Sequence, residues 1–181
     1  ELAEYIRALE SKQHFKVYTV VDRWGVPDSI RATLKGLHAR PHEAIIGAVF
    51  IGDIPIPMIR DAQHLCSAFK MSQKMPWQES SVPSDRYYDD FSLQFDFLKR
   101  DSTAPYYYYS LSARGSQQVH PDLFSGRIRP TDGDMPGSRY TKLKAYLQKA
   151  TEAKLHPERM MSVFVYTGSG SLSESKTAHI D

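Results

Sequence analysis

Four aspartates, Asp85, Asp89, Asp90 and Asp96, crowd a loop and the short strand that follows it. Carboxylates converging in a loop can hold calcium, a hard cation that takes about six to eight oxygens. Asp85, Asp89 and Asp90 are the candidate ligands. Their spacing is not that of an EF-hand, and aspartates standing in solvent are the commoner outcome of such a cluster. Two further loops follow apolar runs: Gly52-Asp53, and Gly168-Ser169-Gly170-Ser171. In open α/β sheets, ligands bind outside the carboxyl ends of the strands, so Asp53 and Ser169 are edge residues near any site there. The plainer reading of Gly52-Asp53 is a tight strand exit whose side chain caps backbone amides. The second loop lacks the Rossmann glycine spacing and the Walker lysine, which argues against a phosphate. Cys66, the single cysteine, lies beside Leu65 on an amphipathic stretch, where lone cysteines are usually core filler. None of the seven histidines has metal-ligand spacing, and no Ser/His/Asp triad can be nominated.

The elements that would position these residues alternate. Leu2, Tyr5, Ile6 and Leu9 share one helical face. Residues 15–21 (FKVYTVV) are β-branched and aromatic and read as a strand. Pro27-Asp28 opens a second helix, with Asp28 or Ser29 as N-cap and Ile30, Leu34 and Leu37 inward. Residues 45–51 form a near-continuous apolar run, the pattern of a parallel strand covered on both faces. Residues 54–120 read as a loop- and β-rich insertion: a short helix over 61–71, a strand over 91–98 with Phe91, Leu93, Phe95 and Phe97 on one face, a turn at RDSTAP, and an antiparallel partner over 106–111. Residues 123–128 are a third core strand. Ser138 caps a long helix with Tyr140, Leu143, Leu147 and Ala150 inward, and 163–167 (VFVYT) is the last strand. The fold class is therefore α/β, an open, mostly parallel sheet flanked by helices.

A chain of 181 residues suits one core, and length favours a single domain. The net charge of +2, with scattered basic residues, argues against a nucleic-acid partner. No apolar run approaches the roughly 20 residues of a membrane span. The first residues already lie inside a helical pattern without a start methionine, which reads as a piece of something longer. Eleven tyrosines within 12% aromatic content suit exported bacterial proteins.

Three segments in order, GAVFIGDIPIP, VPSDRYYDD and HPDLFSGRIRP followed by a long amphipathic helix, resemble the gingipain-like cysteine peptidases, whose fold is caspase-like. The matching positions are Gly52-Asp53 with Ile54-Pro55, 84–88, and Asp122 with Gly126-Arg127-Ile128. The resemblance covers nearly the whole chain. It implies a histidine in a His-Gly step and a later cysteine, both after the strand that VFVYT represents, hence beyond residue 181. The imidazole would assist a thiolate attacking the scissile carbonyl, with backbone amides stabilising the oxyanion. Cys66 does not occupy the nucleophile's place. Where some members carry an acid after the last strand, this chain has Gly168-Ser169-Gly170; Glu174 would have to substitute.

The resemblance thus implies one partial α/β domain, the amino-terminal part of a cysteine endopeptidase in a secreted or cell-surface bacterial protein. It would act on protein or peptide, with the rest of its own polypeptide completing the sheet. No cofactor would be required, and calcium would sit at the aspartates if anywhere. Alone, these residues would be inactive. The alternative is a non-catalytic caspase-like scaffold or binding module, for which the missing acid and the aromatic insertion (Trp77, Tyr87, Tyr88, 106–109) speak. A response-regulator or nucleotide-binding domain is a fold analogy only.

Overall fold

The computed structural model describes residues 1–60, 81–131 and 135–157. In chain order the elements are α1 (Leu2–Gln13), α2 (Pro27–His38), β1 (Gly47–Ile51), β2 (Ile56–Arg60), β3 (Val82–Pro83), α3 (Arg86–Asp89), β4 (Phe95–Arg100), β5 (Tyr106–Leu111), β6 (Phe124–Ile128) and α4 (Pro136–Leu155). The chain is thus mixed α and β, as its pattern predicts. Length alone favours one domain, but the chain divides into two compact units, Glu1–Thr19 with Met135–Asp181, and Val20–Asp134. The expected helix over 61–71, which holds Cys66, and the expected strand VFVYT with the loop after it lie outside the described residues.

In the first unit α1 packs on α4. Tyr5 and Ala8 are the residues α1 buries, while Leu2 stays 38% exposed, so the contact line is rotated from the predicted stripe. His14 ends α1 in the left-handed region at φ 57°, the place glycine usually takes. α4 begins with Pro136 at its first position after Met135, not with Ser138 as cap; proline pre-sets the φ of a first turn. Leu147 and Thr151 are buried, but Tyr140, expected inward, is 64% exposed. Tyr140 shares the helical line of Leu147 and Thr151 by its spacing, but that line is exposed near the start of α4.

In the second unit Pro27 opens α2 and Val26 is its N-cap. Asp28 therefore sits in the first turn, where its charge suits the helix dipole, and it accepts a hydrogen bond from Tyr109 Oη at 2.8 Å. Ile30 and Leu34 are buried, as their spacing predicts. β1 and β6 pair in parallel from Gly47↔Phe124 to Ile51↔Ile128, the pairing expected for core strands. One face of the pair carries Phe50 and Arg127 into the unit. On the other, Val49 is 46% and Phe124 82% exposed, so among the described residues the apolar run of β1 is covered on one face.

The insertion is indeed β-rich. Its strands form a sheet in the order β3-β2-β5-β4, with β2 parallel to β5 and β4 antiparallel to β5. β2 is not foreseeable from the sequence, because Pro57 interrupts it and proline is rare in a central strand. The β4–β5 hairpin is as predicted. Its turn is built by Asp101, whose Oδ1 accepts from Thr103 N, Thr103 Oγ1 and Ala104 N at 2.8–3.1 Å. However, β4 starts at Phe95 rather than Phe91, and an irregularity between Phe97 and Lys99 breaks the alternation. Leu93, which precedes the strand, is fully buried, while Phe97 is 57% exposed.

Residues 15–21 are not a strand: no regular element spans 14–26, and Val21 is 86% exposed. β-propensity reports fit to a half-buried pleated surface. Among the described residues no strand offers 15–21 that surface.

The tyrosines make the core. Tyr87, Tyr88, Tyr107 and Tyr109 are buried around Ile59, Phe50 and Ile30. Tyr87 and Tyr109 lie 4.5 Å apart, ring to ring, and Phe50 and Tyr88 4.9 Å. Arg31 of α2 closes one side: its guanidinium lies 5.3 Å from the Tyr87 ring and donates to Asp90 O and Leu93 O at 2.8 and 2.6 Å.

Candidate functional site

The carboxyl ends of β1 and β6 lie side by side. Gly52 N donates to Ile128 O at 2.9 Å, so the ladder runs one residue past β1. Gly52 then turns the chain at φ 90°, a backbone that side chains with a Cβ seldom adopt. Ile54 N donates back to Gly52 O at 3.0 Å, which swings Asp53 outward. The Asp53 side chain is 65% exposed and faces Arg129 Nε at 3.6 Å. The tight exit is as expected; the carboxylate makes an ion pair where capping of amides was anticipated. Gly52→Ala is expected to cost about 1–2 kcal/mol, read as a lower urea midpoint at unchanged slope.

One residue earlier on β6, Arg127 points to the opposite face and gathers the neighbouring chain segments. Its Nε and Nη2 bind Asp85 Oδ2 and Oδ1 at 3.1 and 2.7 Å. Nη1 donates to Ile54 O at 2.9 Å and Nη2 also to Pro55 O at 3.3 Å. The guanidinium carbon sits 5.3 Å from the Phe50 ring. Tyr88 Oη donates to the same Pro55 carbonyl at 2.8 Å. A planar guanidinium suits this fork, since it offers parallel donors to a carboxylate and a flat face to a ring. A small cavity of about 140 Å³, lined by Ile56, Pro83, Ser84, Asp85 and Arg127, opens beside it.

The members of the acidic cluster differ in burial, and Asp96 has a side chain 48% exposed. Asp89 and Asp90 are fully buried. Asp90 Oδ1 accepts from Ser92 N, Ser92 Oγ and Leu93 N, and Oδ2 from His120 N at 2.6 Å. Asp89 Oδ2 accepts from Ser125 Oγ and pairs with Arg86 Nη2 at 2.8 Å. The Asp89 carbonyl takes Asp122 N and Leu123 N, and Asp122 Oδ2 takes Phe91 N at 2.6 Å. Asp96 is on β4, paired with Arg114 at 2.6 Å. With Asp85 on Arg127, these carboxylates are engaged by protein donors. Among the described residues no three His, Cys, Asp or Glu side chains are placed to hold a metal.

Asp89 Oδ1 is buried without a hydrogen-bond partner among the described residues. Burial holds this carboxyl above the ordinary carboxylate range, with Ser125 and Arg86 pulling the other way. The folded state therefore keeps this proton where the unfolded chain releases it. Asp89's contribution is full below the unfolded value of about 4 and declines as pH rises through the raised folded value. Asp89→Asn, which cannot ionise, is expected to remove this decline above about pH 4, checked by urea midpoints at rising pH.

Asp53 is thus at the sheet edge, whereas Ser169 and Glu174 lie outside the described residues, as do Cys66 and Gly168-Ser169-Gly170-Ser171. Asp85, Asp89 and Asp90 are close in the fold but each has its own partners. Sequence reading missed Arg127 as the organising group; an arginine amid the apolar and small residues of FSGRI was the signal available. No family model, no curated protein and no solved structure matches the chain.

Proposed function

We propose that this chain is the amino-terminal part of a gingipain-type cysteine endopeptidase domain of an exported bacterial protein, with the catalytic histidine and cysteine beyond residue 181. One observation carries the reading: the three segments of the resemblance meet at one place. Ile54 and Pro55 of the first, Asp85 and Tyr88 of the second, and Arg127 of the third are joined by hydrogen bonds. Separately they are weak motifs; together they brace the carboxyl edge of a parallel strand pair, where α/β folds place their sites. In that reading Arg127 and Asp85 are positioning residues beneath the loop that begins at Gly52. The nucleophile would be a thiolate activated by the imidazole, and backbone amides would hold the oxyanion.

A binding module of the same fold would need its aromatic rings on the surface. Tyr87, Tyr88, Tyr107, Tyr108 and Tyr109 are instead buried, which removes them as a binding surface; Tyr106 is half-buried and Trp77 lies outside the described residues. The test is hydrolysis of an unfolded polypeptide such as casein by the full-length protein. Cleavage abolished by iodoacetamide is expected. Cleavage indifferent to iodoacetamide, or none by folded protein, overturns the reading.

A further inference from the structure

α3 is a single turn, and three of its side chains, counting its N-cap, are tied to the segments beside it. At the N-cap, Asp85 accepts from Arg127 Nε and Nη2 of β6 at 3.1 and 2.7 Å. At the last residue, Asp89 accepts from Ser125 Oγ, two residues earlier on the same face of β6. Between them Tyr88 Oη donates to Pro55 O, next to the Ile54 carbonyl that Arg127 also holds. The spacings match. Four residues of helix rise about 6 Å and two residues of strand advance about 6.7 Å. One turn running opposite to β6 therefore meets it at both ends.

The two ends cannot move separately. Asp89 N and Tyr88 N both donate to Asp85 O, at 3.1 and 2.8 Å, so a shift at Asp89 reaches Asp85 through one peptide hydrogen bond. From Asp85 the contacts continue through Arg127 to Ile54 and Pro55, and Ile54 N holds the Gly52 carbonyl. Asp89 is fully buried, but Arg86, its ion-pair partner at 2.8 Å, has a side chain 30% exposed. The carboxyl thus has one partner inside the fold and one that leads to water. A neutral carboxyl sits well against Ser125, whereas a carboxylate there is desolvated, a cost that falls if it follows Arg86 outward. Burial holds the carboxyl above the ordinary range, with Ser125 and Arg86 pulling the other way and Asp85 and Asp90 adding to the rise. Other polar neighbours act one residue away: Arg31 of α2 donates to the Asp90 carbonyl, His120 N to the Asp90 carboxylate and Asp122 N to the Asp89 carbonyl.

We propose that Asp89 is a positioning residue for the sheet edge at Gly52: with its proton it latches α3 to β6, and without it the latch opens and Arg127 loosens its hold on Ile54 and Pro55. Where that edge borders a catalytic centre, as the peptidase reading has it, the same proton sets the geometry of the site. That consequence rests on the peptidase reading; the latch itself rests on the contacts of α3 with β6.

The test is nuclear magnetic resonance of the intact, isotope-labelled chain at rising pH, following the Asp89 carboxyl carbon, the Arg127 Nε–H and the Gly52 N–H. The three signals are expected to shift with one common midpoint, above about pH 4. Asp89→Asn cannot ionise and keeps an acceptor for Ser125, so it should hold the Arg127 and Gly52 signals at their low-pH positions throughout. Ser125→Ala removes only the inner partner and should place both signals at their high-pH positions at every pH. An Asp89 carbon that titrates while Arg127 and Gly52 stay still would overturn the proposal. A step at Arg127 that persists in Asp89→Asn, or Ser125→Ala signals that follow the wild type, would overturn it as well. Peptide cleavage is read in no arm, so failure of the peptidase reading leaves these outcomes unchanged.

Discussion

Replacing Arg127 with methionine is expected to cost about 3–5 kcal/mol of folding stability. Methionine keeps much of the stem but removes all the donors. Asp85 would lose a two-point partner while its side chain is only 23% exposed, and the Arg127 side chain itself is 17% exposed. The Ile54 carbonyl would lose a donor, and Pro55 O would retain only Tyr88 Oη. Leaving one half of a largely buried pair costs more than the pair is worth, because the remaining charge stays desolvated. The double replacement Arg127→Met with Asp85→Leu should therefore recover most of the loss. Urea denaturation of the two variants decides the matter. A single-variant loss below about 1 kcal/mol would mean that solvent screens the pair as at a surface.

A second large effect is expected in alkali. Tyr87, Tyr88 and Tyr109 are at most 3% exposed. Burial pushes each phenol well above its usual value, aided at Tyr109 by Tyr87 and Asp28 and opposed at Tyr88 by Arg127. In the unfolded chain these phenols ionise near pH 10. Their contribution is thus fully present below about pH 10 and is lost as pH rises toward the raised folded values. Above pH 10 the unfolded state binds fewer protons, and each tyrosine removes about 1.4 kcal/mol per pH unit. Three together remove about 4 kcal/mol per unit, against a total stability of about 5–15 kcal/mol. Cooperative unfolding above about pH 11 is expected, with phenolate absorbance and loss of helical circular dichroism rising together. A solvent-exposed phenol ionises near pH 10 in either state; all eleven tyrosines forming phenolate there with the helices intact would contradict the buried aromatic core.

The same tyrosines show what the sequence made legible. The period of Ile30 and Leu34, the proline that opens α2 and the RDSTAP turn all depend on local chemistry, and each holds in the fold. The core strands over 45–51 and 123–128 were readable from their short apolar character, and they pair in parallel from Gly47↔Phe124 to Ile51↔Ile128. Residues 15–21 show the limit of such reading, since a β-branched run specifies a strand only when a neighbouring edge accepts it. β2 escaped notice because Pro57 obeys a rule that its neighbours β3 and β5 override. At the site, Gly52-Asp53 was readable as a strand exit because the left-handed turn needs glycine. The acids were not readable. Whether an aspartate meets solvent, calcium or a backbone amide depends on segments distant in sequence: Asp90 meets His120, and Asp85 meets Arg127.

The most direct test of the peptidase reading is labelling of the full-length protein with a peptidyl acyloxymethyl ketone, a thiol-directed probe that requires an activated cysteine. Peptide mapping is expected to find the label on a single cysteine carboxyl-terminal to residue 181, with Cys66 unmodified. An unlabelled folded protein, or label on Cys66 alone, would contradict it.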